Sequence, residues 1–393
     1  MVLLIRSNEG GLVFADRLLD HRRPLQSGHQ LNIDDVAFFL IRRGLLRPED
    51  VLSGPVKIEA SDNRNRNFRV FTSDNAGLFI KQPHDLMYGS RATLRAEASF
   101  YHHRASLGDR VAPHIPAMVL YEPELPLLAL ELLPSHETLS DFAASFGPEY
   151  LIRASGVLGR RLADLHLGLT EYGSNAPNWT ASLGAASAWA VQAHRPPIDL
   201  LATLSRAGLQ TLEIIQGSNA IQRGLDHLSQ LWRPTAIIHG DMRWGNVLVR
   251  MEPGSDPDIV FVDWELIQFG DPAWDIGCLL QGLVANWLND LDLADKDISD
   301  IIVRSSATQL FLQASCGALW DGYSALMNAS GTGAGRISVT KVFQFSAARM
   351  IQSALESAAN QANLFPVSVL QLQIAENLLS EPEEMGFQLF GLP

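Results

Sequence analysis

The hydrophobic pattern switches period along this chain, and the switch constrains the fold more than any other feature. From about 56 to 82, VKIEA, NFRVFTS and GLFIKQP are short β-type runs, divided by turn segments such as SDNRNR and SDNAG. Residues 91–106 read as helix, and 117–121 and 127–132 read as two further strands. The set predicts a small lobe of about five strands and one helix over 55–133. A helical extension over 1–54 precedes it. There Asn32 or Asp34 caps a helix carrying Val36, Phe39, Leu40 and Leu46. Beyond 138 the texture is helical, and Leu158, Leu162, Leu165 and Leu169 mark one face of a long helix. It breaks once, at 235–262, where TAIIHGDMRWGNVLV and DIVFVD read as a hairpin around MEPGSDPD. No strand is expected after 263. The fold class is α+β, with a mostly helical second lobe over 134–393.

Hydrophobic residues make up 47% and charged residues 19%, enough apolar material for a sizeable core. The net charge is −13 and unevenly placed: residues 1–110 hold 16 Lys+Arg against 13 Asp+Glu, the remainder 14 against 30. An acidic second part disfavours a nucleic-acid partner, since phosphate backbones need a basic surface. It leaves open two readings, a field that favours a cationic substrate or a solubilising surface. Cys278 and Cys316 sit in apolar stretches without metal spacing, which points to reduced thiols in a cytoplasmic protein. The run MVLLIRSNEG is too short for a signal peptide, and no window is apolar enough to span a membrane. The glycine-rich NASGTGAGR at 328–336 lacks a following Lys-Ser or Lys-Thr, so it reads as a connection and not a phosphate loop.

The chemistry concentrates in HGDMRWGN at 239–246 and VDWE at 262–265. An Asp, an Asn five residues later and a second Asp ending a strand suit phosphoryl transfer. That reaction needs positioning, charge neutralisation and a group to orient the attacking hydroxyl. Hard Mg²⁺ takes oxygen ligands such as a carboxylate and an amide. A carboxylate on a short loop suits the role of base. In the first lobe Lys81 ends the apolar run GLFIK, where an ammonium is costly unless paired. Lysine is scarce, with only Lys57, Lys81, Lys296 and Lys341 against 26 arginines. Glu97 lies on the next helix as a partner.

These residues resemble the aminoglycoside phosphotransferase and choline kinase group of the protein-kinase-like fold, over roughly 55–360. The shared pattern is His239, Gly240, Asp241, Asn246 and Asp263, then GDPAWDIG with Gly270, Asp271, Pro272 and Asp275. The resemblance implies a two-lobed enzyme with ATP and Mg²⁺ in its cleft. Asp241 is then the catalytic base, Asn246 and Asp263 the magnesium ligands, and Lys81 the phosphate-binding lysine with Glu97 its partner. His239, Asp271 and Asp275 are implied as structural residues of the site. Asn65 and Asn67, in NRNFRV, fall on the segment covering the phosphates, and Glu131 to Leu133 on the hinge that meets adenine.

Two departures matter. The phosphate-covering loop reads EASDNRNRN, without glycine, with Arg64, Arg66 and Arg69 as compensating charges. The catalytic loop carries Arg243 and Trp244 where the group more often has His or Asn and then Pro. Arg243 stands at the offset where protein kinases place a phosphate-contacting lysine, which makes it a charge clamp. Trp264 and Trp274 read as packing residues. Asp290, Asp292 and Asp295, with Asp297 and Asp300, form either a solvated helix face or an acidic rim for a cationic acceptor. Three functions remain open: a kinase for a small, hydroxylated, cationic metabolite or antibiotic; a kinase for Ser or Thr of a ribosomally made peptide; and a degenerate kinase that only binds.

Overall fold

The computed structural model describes residues 4–6, 12–14, 30–52, 54, 56–62, 65–72, 76–84, 88–201, 203–291, 298–329 and 337–393. They fall into two compact units, Met1–His102 with Pro116–Ser135, and His103–Ile115 with His136–Pro393.

The first unit begins with a two-stranded antiparallel ladder, β1 (Leu4–Arg6) and β2 (Leu12–Phe14), within the extension whose sequence reads as helical. Helices α1 (Ile33–Arg42) and α2 (Pro48–Leu52) follow. Asn32 caps α1 with a capping box. Its side chain accepts from Asp35 N at 2.9 Å, and Asp35 returns the bond to Asn32 N at 3.3 Å. Strands β3 (Lys57–Asp62), β4 (Asn65–Phe71) and β5 (Gly77–Pro83) then lead into α3 (Tyr88–His103), and β6 (Met118–Glu122) and β7 (Leu127–Glu131) close the unit. The sheet is antiparallel throughout, in the order β3-β4-β5-β7-β6. Alternation sets its faces: Phe68 and Val70 are buried while Arg69 between them is exposed. Phe68, Val70, Ile80, Leu127 and Ala129 share one core with Val36, Phe39 and Leu40 of α1. Each of the larger side chains contributes about 1.5–3 kcal/mol by burial. The extension therefore packs as part of this core.

The second unit is mostly helical: α4 (Leu139–Ser145), α5 (Pro148–Asn175), α6 (Pro177–Ser182), α7 (Ile198–Leu201), α8 (Arg206–Gly217), α9 (Asn219–Leu231), α10 (Pro272–Asp290), α11 (Ile298–Ala329), α12 (Val339–Ala358), α13 (Pro366–Ser380) and α14 (Pro382–Phe390). The face of α5 bearing Leu158, Leu162, Leu165 and Leu169 is buried. Alongside α11 the two backbones approach closely, because glycines stand at the crossing. A Cβ on Gly159 would lie 2.1 Å from Leu319 O, and one on Gly322 2.4 Å from Gly156 O. Helix α10 is buried along most of its length. None of the described helices is long and apolar enough to cross a membrane.

Short strands interrupt the helices: β8 (Glu137–Thr138), β9 (Ala236–Ile238), β10 (Val247–Arg250), β11 (Asp258–Phe261) and β12 (Gln268–Gly270). This corrects the expectation of one hairpin over 235–262 with no strand after 263. Only β10 and β11 form the hairpin, with β8 on the other edge of β10. Strand β9 pairs with β12 instead. Gly240, at φ +83°, and a 3-10 turn at Trp244–Asn246 insert a loop between β9 and β10. That loop releases β9 to a later partner.

Candidate active site

The loop between β9 and β10 gathers His239, Asp241, Arg243 and Asn246, and the end of β11 brings Asp263 beside them. His239 is fully buried. Asp241 N donates to its Nδ1 at 3.3 Å, so the ring proton sits on Nε2, which donates to Val262 O at 3.0 Å. The imidazole thereby ties the loop to the strand that delivers Asp263. Asn246 N donates to Arg243 O, and Val262 N donates to Asn246 O at 3.0 Å. The Asn246 amide nitrogen donates to Asp241 O at 2.8 Å and to Asp241 Oδ2 at 3.1 Å. Both acceptors take from Nδ2, which leaves Asn246 Oδ1 as an oxygen without a hydrogen bond among the described residues. Asp241 Oδ1 is in the same condition. Asp263, at φ 67° and ψ 60°, is the one non-glycine residue with positive φ among the described residues. Such a conformation costs about 1–3 kcal/mol, and strain of this kind clusters at functional sites. Arg243 spans the pair of acids: Nε lies 3.2 Å from Asp241 Oδ2 and Nη2 3.9 Å from Asp263 Oδ2.

Beneath the loop, Asp275 is fully buried in the first turn of α10, where the helix dipole favours a carboxylate. It accepts from His239 N at 2.8 Å, from Gly240 N at 3.0 Å and from His166 Nε2 at 3.1 Å. Burial, then the charges of Asp275 and Asp271, pushes the Tyr323 phenol well above its ordinary range. Tyr323 stays protonated and donates to His166 Nδ1 at 3.0 Å, which fixes the His166 proton on Nε2. Tyr323 of α11, His166 of α5 and Asp275 of α10 thus form one chain ending on the loop backbone. His166 and Tyr323 are separated by 157 residues. The only sequence sign of His166 was a histidine inside the apolar face of α5; Tyr323 gave none. Trp274 Nε1 donates to Gly240 O at 2.9 Å, and Trp264 packs its ring 4.5 Å from that of His239. Trp244 Nε1 donates to Leu279 O at 3.3 Å. Its ring lies where a Cβ on Gly282 would sit, 2.1 Å away. Asp271 caps α10 through Ala273 N, accepts from Arg233 N at 2.9 Å and pairs with Lys341.

In the sheet unit Lys81 Nζ meets Glu97 Oε2 at 2.7 Å, with side chains 5% and 1% exposed. Removing one partner of a buried ion pair leaves an uncompensated charge and costs about 3–5 kcal/mol. Lys81→Met alone should therefore destabilise this unit by that order in urea titrations. Adding Glu97→Leu should recover most of the stability. Asn67 stands opposite Lys81 in the ladder, and its buried Oδ1 makes no hydrogen bond among the described residues. Asn65 begins β4, opposite Pro83. Arg66 is tied to Leu31 O at 3.1 Å, Arg69 is exposed, and Arg64 lies outside the described residues. Glu131 N donates to Ala117 O at 2.8 Å and Leu132 N to Gly77 O at 3.0 Å, whereas Leu133 has no backbone hydrogen bond among the described residues. Of the acidic cluster, Asp290 is exposed at the end of α10, while Asp292, Asp295 and Asp297 lie outside the described residues and Asp300 is placed only as part of α11.

The donor set of the loop suits a hard cation. Asn246 Oδ1 and the Asp263 carboxylate are oxygen ligands of the type Mg²⁺ takes, and a guanidinium already bridges the neighbouring carboxylates as a cation would.

The phosphotransferase enzyme family matches residues 56–300, more than half of the chain. No curated protein sequence matches it significantly. Among solved structures it is similar to a glucosamine kinase, at 14% identity over 84% of this chain and 95% of that one, with a TM-score of 0.49. It is also similar to the choline kinase LicA from Streptococcus pneumoniae, at 11% identity over 86% and 99%, with a TM-score of 0.44. A third likeness is the GDP complex of wild-type aminoglycoside 2′-phosphotransferase-IIIa, at 14% identity over 91% and 100%, with a TM-score of 0.47.

Proposed function

The chain belongs to the phosphotransferase enzyme family, and from that premise we propose that it moves the γ-phosphoryl group of ATP to a hydroxyl of a small, cationic metabolite or antibiotic. The observation that carries this reading is the loop's set of oxygens left open to a ligand. Among the described residues Asp241 Oδ1 and Asn246 Oδ1 make no hydrogen bond, and Asp263 stands beside them in a strained backbone conformation.

In the proposed reaction Asp241 Oδ1 orients the acceptor hydroxyl and takes its proton. The bond from the acceptor oxygen to the γ-phosphorus forms, the bond from that phosphorus to the bridging oxygen breaks, and ADP leaves. Magnesium held by Asn246 and Asp263 would neutralise charge on the phosphates. Lys81, kept in one direction by Glu97, serves as the nucleotide-phosphate contact of the sheet unit. Leu133 offers its free backbone groups to the base, and Asn65 and Asn67 border the phosphates. Arg243 reaches the transferred phosphoryl group. His239, Asp271 and Asp275 hold the loop without touching substrate. A module that only binds has no use for a carboxylate oxygen left to accept a proton, which weighs against the non-catalytic alternative.

What supports a cationic acceptor is the charge beyond residue 110, where there are 14 basic and 30 acidic residues. The test is ADP release with a panel of amino-sugars and quaternary-ammonium alcohols against neutral sugars of equal size. Turnover should require a cationic acceptor, and its KM should rise with ionic strength. Equal turnover with neutral sugars would overturn the acceptor class.

A further inference from the structure

A cleft of about 280 Å³ opens between α9, α12 and α13 in the helical unit. The sequence of α9 makes it. Arg223 and His227 stand one turn apart on that helix, and the small Ala220 and Gly224 beside them leave the space unfilled. A Cβ on Gly224 would lie 2.7 Å from Leu379 Cβ, so α13 closes one wall there. Gln344 of α12 also lines the cleft and is only 7% exposed. None of these residues belongs to the catalytic loop or to the Tyr323–His166–Asp275 chain.

Three polar side chains meet here without partners. Among the described residues, the side chains of Arg223, His227 and Gln344 make no hydrogen bond or ion pair. A buried amide in that condition calls for a ligand or another explanation. Arg223 is unpaired although acids outnumber bases by 30 to 14 beyond residue 110. The acids of the three helices are engaged elsewhere. Asp226 accepts from His194 and Arg195, Glu376 from Ser218, and Glu356 from Arg349. Glu381, just after α13, is exposed and does not line the cleft. The cleft therefore offers a guanidinium fork, a ring N–H and an amide NH₂, with no carboxylate among its lining residues to compete.

We propose that this cleft binds the phosphate group of a small phosphorylated molecule. The Arg223 fork takes two phosphate oxygens, and His227 and Gln344 donate to the oxygens that remain. A carboxylate would offer only two oxygens, in one plane, to three donors set on two helices. Phosphate binding here does not depend on the reaction proposed for the loop.

The test follows the His227 ring resonances of the full chain by ¹H–¹⁵N NMR at constant ionic strength, assigned with His227→Gln. Reading the ring itself separates the cleft from any phosphate bound elsewhere. Inorganic phosphate should shift the resonances saturably, and acetate should not. Arg223→Ala should raise the dissociation constant about tenfold, the loss of a charge-assisted bond. Gln344→Leu should raise it about threefold to fivefold, the loss of a neutral one. In phosphate-free buffer Gln344→Leu should keep or raise the melting temperature, because it removes an unpaired buried amide. ADP and glucosamine 6-phosphate are titrated in the same way, and the tightest of the three identifies the source of the phosphate. A response that does not saturate, equal shifts with acetate, or an unchanged constant in Arg223→Ala overturns the proposal. So does a lower melting temperature for Gln344→Leu without phosphate, which would mark the amide as already satisfied.

Discussion

Asp241→Asn should lower kcat by about 10²–10⁴-fold, the usual contribution of a positioned base, while leaving nucleotide affinity unchanged. The local geometry explains why so small a change is so damaging. Asp241 Oδ2 accepts from Asn246 Nδ2 and Arg243 Nε. The asparagine must keep its oxygen there, since an amide nitrogen would face two donors. Its NH₂ is then forced into the place of Oδ1, and the group offered to the acceptor hydroxyl becomes a donor that cannot take a proton. Calorimetric titration of an ATP analogue would show retained binding, and single-turnover assays would show the lost step. Near wild-type turnover by this variant would remove Asp241 from the mechanism.

Asp275→Ala should be the most destabilising change in the helical unit. It strips the acceptor from His239 N, Gly240 N and His166 Nε2 at once, with His239 and His166 buried and Gly240 half-buried. Each orphaned donor costs about 1–3 kcal/mol, and relaxation and water entry bring the total to about 3–5 kcal/mol, the range for a broken buried charge network. Urea unfolding followed by tryptophan fluorescence measures it, with Trp274 donating to the same loop at Gly240 O. Tyr323→Phe, which removes only the far end of the chain, should cost about 1 kcal/mol. If Tyr323→Phe destabilised as much as Asp275→Ala, the hierarchy drawn for this network would be wrong.

The sheet was legible because each strand alternates and is fenced by polar turns. Phe68, Arg69 and Val70 show that alternation as buried, exposed, buried. Helix α5 was legible for the matching reason, a leucine at nearly every turn. Strand β12 was hidden because three residues, Gln268–Gly270, are too few to show a period. Strands β9 and β10 merged into one run because the loop between them carries Met242 and Trp244, both buried. The ladder at Leu4–Arg6 and Leu12–Phe14 was hidden because three-residue strands are too short to show a period, although the sequence between them, SNEGG, is of turn type.

The loop's own residues were readable because His239, Asp241, Arg243 and Asn246 are neighbours in sequence, and the structure brings Asp263 to them. What supports them was not readable. The His166–Asp275 bond joins residues 109 apart, and sequence carries no mark of such a pairing. Nor did it show that Arg243 faces carboxylates, since an offset along a loop says nothing of where a long, half-exposed side chain finds its charge.

The central claim is transfer of a phosphoryl group from ATP to an acceptor hydroxyl. Its most direct test is ³¹P NMR of the wild-type protein with ATP, Mg²⁺ and a cationic amino-sugar acceptor. The account predicts a new phosphomonoester resonance that grows as the γ-phosphate signal falls and is absent without acceptor or with Asp241→Asn. Loss of the γ-phosphate signal into inorganic phosphate alone, or no loss with any hydroxylated acceptor, would contradict it.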